Sequence, residues 1–374
     1  MKKKIIFLVN VDSFFVSHRL EIASQLLIDG FEVHIATEFK SYKKLLKKKG
    51  FITHDIDFKR NSLNLFKAFI SLAQIFFLIK KVKPDILHLV SLKPAIFGGL
   101  ISFMSPVHSV VISITGLGSM FLEKNLFARI RKSFFNFLLK IVFLRTKLKV
   151  ILQNKSDLSY LTKEANLKKN KVKIINGSGV DLKKFKFSKL PLKTPIILMA
   201  SRIIADKGIF EYVQSARFLK KNNFNGKFYL IGDIDFANPS AIKKSQIELW
   251  KQENIIKYFP YKNDIFRFIK KSTIVVLPSY REGFPKILME AAASGRPSIT
   301  TNVPGCKDAV INNVTGILIP PKNYISLAKA ILDLSKNNKK LKKIAYAARK
   351  HAINNFDVIK VVSKHLSIYK SLIN

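Results

Sequence analysis

Short apolar runs alternate along the chain with stretches in which hydrophobic side chains return every three or four positions. The short runs are strand-length and continuously apolar, as strands covered on both faces are, so the pattern predicts parallel sheets sandwiched between helices. Six runs fall in the first half: KIIFLVN at 4–10, EVHIAT at 32–37, DILHLV at 85–90, VVISIT at 110–115, KVILQN at 149–154 and KVKIIN at 171–176. A second series has PIILMAS at 195–201, KFYLIG at 227–232, IKYFPY at 256–261, TIVVLPS at 273–279, RPSITT at 296–301 and TGILIP at 315–320. Between strands lie amphipathic stretches such as VSHRLEIASQLLIDG, where Leu20, Ala23, Leu26 and Leu27 recur at helical spacing and Gly30 ends the helix. FKFSKLPLKTP, with two prolines and little periodicity, puts a linker at 186–195. The expectation is an α/β chain of two doubly wound, Rossmann-like domains, 1–188 and 195–355, with a helix over 356–374 packing back toward the first. Two such sheets facing across a cleft bind ligands at the carboxyl ends of their strands.

Chemistry is concentrated in two segments of the second series. In the first, TIVVLPS leads through REGF into PKILMEAAASG, where Pro285 suits the first helical position and the helix N-terminus points its amides at a ligand. Glu282 lies just before that helix and Glu290 about a turn and a half inside it, so one carboxylate can meet a sugar ring and the other a second polyhydroxylated group. In the second segment, MASRIIADKGIFEYVQSA, Arg202 follows a strand and Lys207 precedes a helix, a placement suited to a diphosphate. Standing alone, each of these charges reads as a helix-terminal or solvated surface group; their shared position at strand ends is what singles them out. In the first half, His18 and Arg19 by the first helix, and His88 and Lys93 after DILHLV, are candidates to touch an acceptor or its diphosphate. GDID at 232–235 contains a DxD but reads as a turn after a strand, and GSG at 177–179 lacks the third glycine of a dinucleotide loop.

Charge widens the picture. The 374 residues carry 66 Lys and Arg against 24 Asp and Glu, a net charge of +42. It is spread over both halves and is mostly Lys, so it reads as a habit of the solvated surface, and with no zinc-finger, basic-zipper or RNP-like pattern no nucleic-acid partner is expected. The only cysteine, Cys306, rules out an intrachain disulfide and points to a reducing compartment. The basic, apolar start MKKKIIFLVNVD reads as a strand and not a signal peptide, and Pro94–Leu122, free of charge, is broken by Pro and Gly into helix, turn, strand and loop. Two stretches, 62–81 and LFARIRKSFFNFLLKIVFLRTK at 126–147, join basic and aromatic residues at helical spacing, which suits an anionic bilayer surface as well as a sheet-packed helix.

FFVSHRLEIASQLL, INGSGVDLKKF, SRIIADKG and EGFPKILME together resemble glycosyltransferase family 4, retaining enzymes of the GT-B fold, over nearly the whole chain. FFVSHRL, KPAIFGG, ITGLGSMF and LPSYREGFP are further similar to bacterial members that extend lipid-linked oligosaccharides for O-antigen, capsule or glycoprotein assembly. The resemblance implies a nucleotide-sugar donor, a polyprenyl-diphosphate-linked glycan acceptor, no metal or other cofactor, and a cytoplasmic enzyme peripheral on the inner face of the cell membrane. Carried over by position, it implies that Arg202 and Lys207 bind the donor diphosphate, Glu282 the sugar and Glu290 the ribose, with backbone around Gly283, Phe284 and Pro285 lining the site. Where many members have a His after the next strand, this chain has Thr115 and Gly116, so a role that needs that His does not carry over. A sugar-nucleotide epimerase of the same architecture, turning over donor without acceptor, and a basic membrane- or nucleic-acid-binding protein without catalysis are the alternatives.

Overall fold

The structure is a computed structural model that describes residues 2–58, 65–118 and 125–373. Residues 62–64 of the first basic-aromatic stretch, Ser119–Phe121 of ITGLGSMF and Leu122 lie outside the described residues.

The chain divides into two compact units, residues 1–178 with 359–374, and residues 179–358. Unit 1 holds strands β1 (Lys4–Val11), β2 (Glu32–Glu38), β3 (Ile52–Asp55), β4 (Ile86–Val90), β5 (Ser109–Ile114), β6 (Leu148–Leu152) and β7 (Val172–Ile174). They form one parallel sheet in the order β3-β2-β1-β4-β5-β6-β7. Alternation along β1 builds both cores: Ile6 and Leu8 meet the helices Leu65–Val82, Leu92–Ile101 and Leu126–Phe143, while Ile5, Phe7 and Val9 meet Leu20–Ile28 and the last helix, Val358–Ile373.

Unit 2 holds β8 (Ile196–Ala200), β9 (Lys227–Ile231), β10 (Lys257–Phe259), β11 (Ile274–Leu277), β12 (Ser298–Thr301) and β13 (Gly316–Ile319), again all parallel, in the order β10-β9-β8-β11-β12-β13. Every predicted strand is present, and β3 is an addition. MKKKIIFLVNVD forms β1, and the uncharged stretch supplies all but the first two residues of the helix Leu92–Ile101, and β5. No helix among the described residues is long and apolar enough to cross a membrane.

Unit 2 begins earlier than the proline-rich segment suggests. Val180 donates its amide to Phe356 O and accepts from Val358, and Val180 and Phe185 are buried in the unit 2 core. The segment expected as a linker is held there too, because the buried Arg296 guanidinium donates to the carbonyls of Ser188 and Lys189.

Candidate active site

Strand order reverses in unit 2 between β8 and β11, and open α/β sheets bind ligands at such a reversal, beyond the strands' carboxyl ends. Three loops meet there. The carbonyl of Asp206 accepts the Tyr280 amide at 2.9 Å and the Ser279 hydroxyl at 3.2 Å, tying the loop after β8 to the loop after β11. The Glu282 amide donates to Pro304 O at 3.1 Å, and the Thr301 hydroxyl to Ser279 O, tying in the loop after β12. Two glycines make the approach possible. Gly208, at φ +74°, would place a Cβ 2.1 Å from Pro278 O, and Gly305, at φ +82°, would place one 2.4 Å from Glu282 O.

These loops bring Lys207 and Glu282 together. Lys207, ending the 3-10 turn Ala205–Lys207, donates from Nζ to Glu282 Oε1 at 2.5 Å, with the two side chains 15% and 12% exposed. A pair so placed keeps enough access to exchange partners with an arriving anion. Cys306 lies nearby with its thiol pushed up to about 12, by burial first and by the Glu282 charge second.

Glu290 is buried within the helix Lys286–Ala293. Burial pushes its carboxyl up to about 7, against the pull of Lys286, whose Nζ is 3.9 Å away, and of Lys184. Pro285 is the N-cap of that helix, one position earlier than expected, and makes no side-chain cap. Gly283, Phe284 and Pro285 are buried, and the Phe284 ring packs edge-on against Phe356.

Arg202 takes a separate partner, donating from Nη1 to Asp235 Oδ2 at 2.6 Å. Asp235 belongs to the DxD, and composition gave no sign of this pairing. An isolated bridge between Ile203 and Ile234 aligns the two segments, and Asp233 accepts the Tyr261 amide. Both DxD carboxylates therefore have partners within the protein.

The corresponding reversal in unit 1 lies between β1 and β4, and there Asp12, Arg19 and His88 are buried while His18 and Lys93 keep partial exposure. His88, expected to face an acceptor, is 0% exposed; its ring bridges Tyr369 Oη at 2.8 Å and Ser113 Oγ at 2.7 Å, using both nitrogens. Arg19 is also buried, donating to His18 O, with its pKa brought down to about 10 by desolvation. The cause is the helix Val358–Ile373, which lays His365 and Tyr369 over both residues. His18 ends the short helix Asp12–His18, stacked on Phe14 with ring centroids 4.1 Å apart, and Lys93 is half-buried over the rings of Phe58 and Phe97. Asp12, which the sequence reading did not single out, organises this region. Burial opposes its ionisation, but amides of Ser13, Lys40, Ser41 and Tyr42 donate to its carboxylate and hold it below the usual range. Its one sequence signal was an acid closing an apolar strand.

Both units are similar to known proteins. Residues 180–351 match the family described as "Glycosyl transferases group 1", and residues 4–154 match "Glycosyl transferase 4-like". The chain is 28% identical, over 98% of each chain, to N,N'-diacetylbacillosaminyl-diphospho-undecaprenol alpha-1,3-N-acetylgalactosaminyltransferase of Campylobacter jejuni. It is 26% identical to UDP-Gal:alpha-D-GlcNAc-diphosphoundecaprenol alpha-1,3-galactosyltransferase of Escherichia coli, covering 83% of this chain and 82% of that one. The solved structure of a glycosyltransferase from Rickettsia africae superposes with a TM-score of 0.79 at 26% identity, covering 100% of this chain and 99% of that one. The two parallel-sheet, Rossmann-like units have the GT-B fold, and the chain belongs to the group 1 and 4-like glycosyltransferases.

Proposed function

We propose that the chain moves a sugar, with retention at the anomeric carbon and without a metal ion, from a UDP-hexose or UDP-N-acetylhexosamine to a glycan carried on polyprenyl diphosphate. The setting is synthesis of a cell-surface polysaccharide or glycoprotein glycan, at the inner face of the cell membrane, with the enzyme attached peripherally. The observation that carries this reading is the Lys207–Glu282 pair at the strand-order reversal of unit 2. Relatives named for diphosphoundecaprenol-linked acceptors, one of them named for UDP-Gal, support the choice of acceptor and base.

In this reading Lys207 leaves Glu282 for the donor diphosphate, Arg202 supplies a second cation, and Glu282 turns to the sugar hydroxyls. Glu290 accepts from the ribose, and the backbone of Gly283, Phe284 and Pro285 lines the site. The C1–O bond to the diphosphate breaks as the acceptor oxygen bonds to C1 on the same face, and the acceptor proton passes to the departing phosphate oxygen. Negative charge grows on the diphosphate, where fixed cations and the N-terminus of the helix Lys286–Ala293 lower the barrier.

The test is transfer by the purified protein from UDP-glucose, UDP-galactose, UDP-N-acetylglucosamine or UDP-N-acetylgalactosamine to a short-chain polyprenyl-diphosphate-linked hexosamine, with and without EDTA. One donor is expected to give an α-linked product at the same rate in EDTA. Donor turnover without acceptor, a β-linked product, or loss of activity in EDTA would overturn the reading.

A further inference from the structure

Helices in a globular unit ordinarily bury one apolar stripe and show water a polar face. The helix Leu126–Phe143 buries one stripe and exposes another. Ala128, Asn136, Leu139, Val142 and Phe143 are buried on its inner side. On the opposite side Phe127, Ile130, Phe134, Phe137 and, just past the helix end, Leu144 recur at spacings that keep them on one face, each between 57% and 82% exposed. The patch continues beyond the helix. Phe103 and Met104 are exposed, and Arg145 holds their turn close by donating to Ser102 O and Val107 O, with its guanidinium over the Phe103 ring. The helix Leu65–Val82, packed in the same layer, exposes Phe69 and Phe77. An exposed apolar face of this extent marks an interaction surface.

Charge identifies the occupant. Residues 126–147 contain Arg129, Arg131, Lys132, Lys140, Arg145 and Lys147 and no acidic residue. Arg129 and Lys140 are exposed beside the aromatic stripe. A second copy docking through the same face would bring like charges together with no carboxylate within the stretch to offset them. An anionic bilayer answers both properties, apolar side chains entering the acyl boundary while cations meet headgroup phosphates. We infer that the exposed stripe of the helix Leu126–Phe143, extended by Leu144, Phe103 and Met104, is the element that lies in an anionic membrane surface. This inference rests on the peripheral attachment proposed above and assigns it to named residues. The helix lies in the plane of the interface, and unit 1 is the part of the protein fixed to lipid.

The experiment is co-sedimentation of the full chain with vesicles of phosphatidylglycerol and phosphatidylethanolamine, and separately of phosphatidylcholine, alongside a thermal-shift titration with UDP. Wild type is expected to sediment with the anionic vesicles and to stay in solution with phosphatidylcholine. The double variant Phe134→Ser/Phe137→Ser should lower partitioning by about a hundred-fold, and Arg129→Gln/Lys140→Gln by about tenfold, both with an unchanged UDP shift. Wild type left in solution with anionic vesicles, or the Phe134→Ser/Phe137→Ser protein sedimenting like wild type, would overturn the assignment. A dimer in sedimentation equilibrium, lost in that same variant while vesicles bind nothing, would give the face to a second copy. Vesicle binding without any UDP shift would leave this surface standing and remove the nucleotide-donor reading alone.

Discussion

The two units share a scaffold and differ in what they place at its functional edge. Each is a parallel sheet whose strand order reverses beside its first strand, at β1/β4 in one and β8/β11 in the other. In unit 2 the charged groups at the reversal are paired but reachable, with Arg202 about half exposed and the Lys207–Glu282 pair at the edge of burial. In unit 1 the equivalent groups are sealed: Asp12 is bound by backbone amides, and Arg19 and His88 are covered by the last helix. One topology thus holds its polar residues in two ways, in ion pairs that keep some exposure in unit 2 and in buried hydrogen bonds to backbone and side chains in unit 1, and burial separates them.

The largest effect that tests this contrast is at Lys207. Replacing it with Ala leaves Glu282 without its cation and, in the proposed mechanism, the leaving diphosphate without a charge-assisted contact. A fall in kcat/KM of about a hundred- to a thousand-fold is expected, on the scale of losing one fixed donor to a developing oxyanion. Steady-state transfer rates on protein with an unchanged melting temperature measure it, and near-normal turnover would end the assignment of the site.

The opposite outcome is expected at His88. Truncation to Ala opens a cavity and strips Tyr369 and Ser113 of their shared partner, so stability should fall by about 3 kcal/mol in urea unfolding. UDP binding should be unaffected. If instead His88→Ala kept its stability and lost transfer, unit 1 would hold a contact residue after all, and the contrast between the units would break.

The sequence carried the parallel-sheet fold well, because period and run length report burial directly, yet it passed over β3. That strand, Ile52–Asp55, sits at the sheet edge beside β2, has one exposed apolar residue and three polar ones, and exists by virtue of its pairing. Lys207 and Glu282 stood out because each lies between a recognisable strand and the helix that follows it. Their pairing did not, since it depends on loops stitched through Asp206 O and Pro304 O, contacts between segments far apart in the chain. The burial of His88 was not legible for a related reason: the residue that covers it, Tyr369, lies 281 positions away.

Glu290 gives a smaller, pH-dependent test. Its carboxyl is raised from 4.5 to about 7 by burial, so the folded protein holds a proton that the unfolded chain has released. The stabilising contribution is complete below 4.5 and is lost as pH rises through about 7, a change on the order of 3 kcal/mol. Donor affinity should move the other way, because ribose hydroxyls donate to the ionised form, rising about tenfold between about pH 6 and pH 8. Calorimetric titration with UDP across that range, beside Glu290→Gln, measures both, and a pH-independent wild-type affinity would remove the ribose role.

The smallest effect distinguishes exchangeable from structural charge within unit 2. Asp235 holds Arg202 at 2.6 Å, but the arginine side chain is 47% exposed, so the pair contributes at most about 1 kcal/mol to stability. If Arg202 serves the donor diphosphate, Asp235 competes with that anion for it, and Asp235→Asn should tighten UDP binding by about threefold while the melting temperature stays put. Asp233→Asn should do neither, since its carboxylate accepts the Tyr261 amide and faces no such competition. Weaker UDP binding in Asp235→Asn, together with a divalent cation that tightens UDP binding in wild type and not in the variant, would turn the DxD into a metal site. It would also make the contrast between the units one of metal chemistry and not of burial.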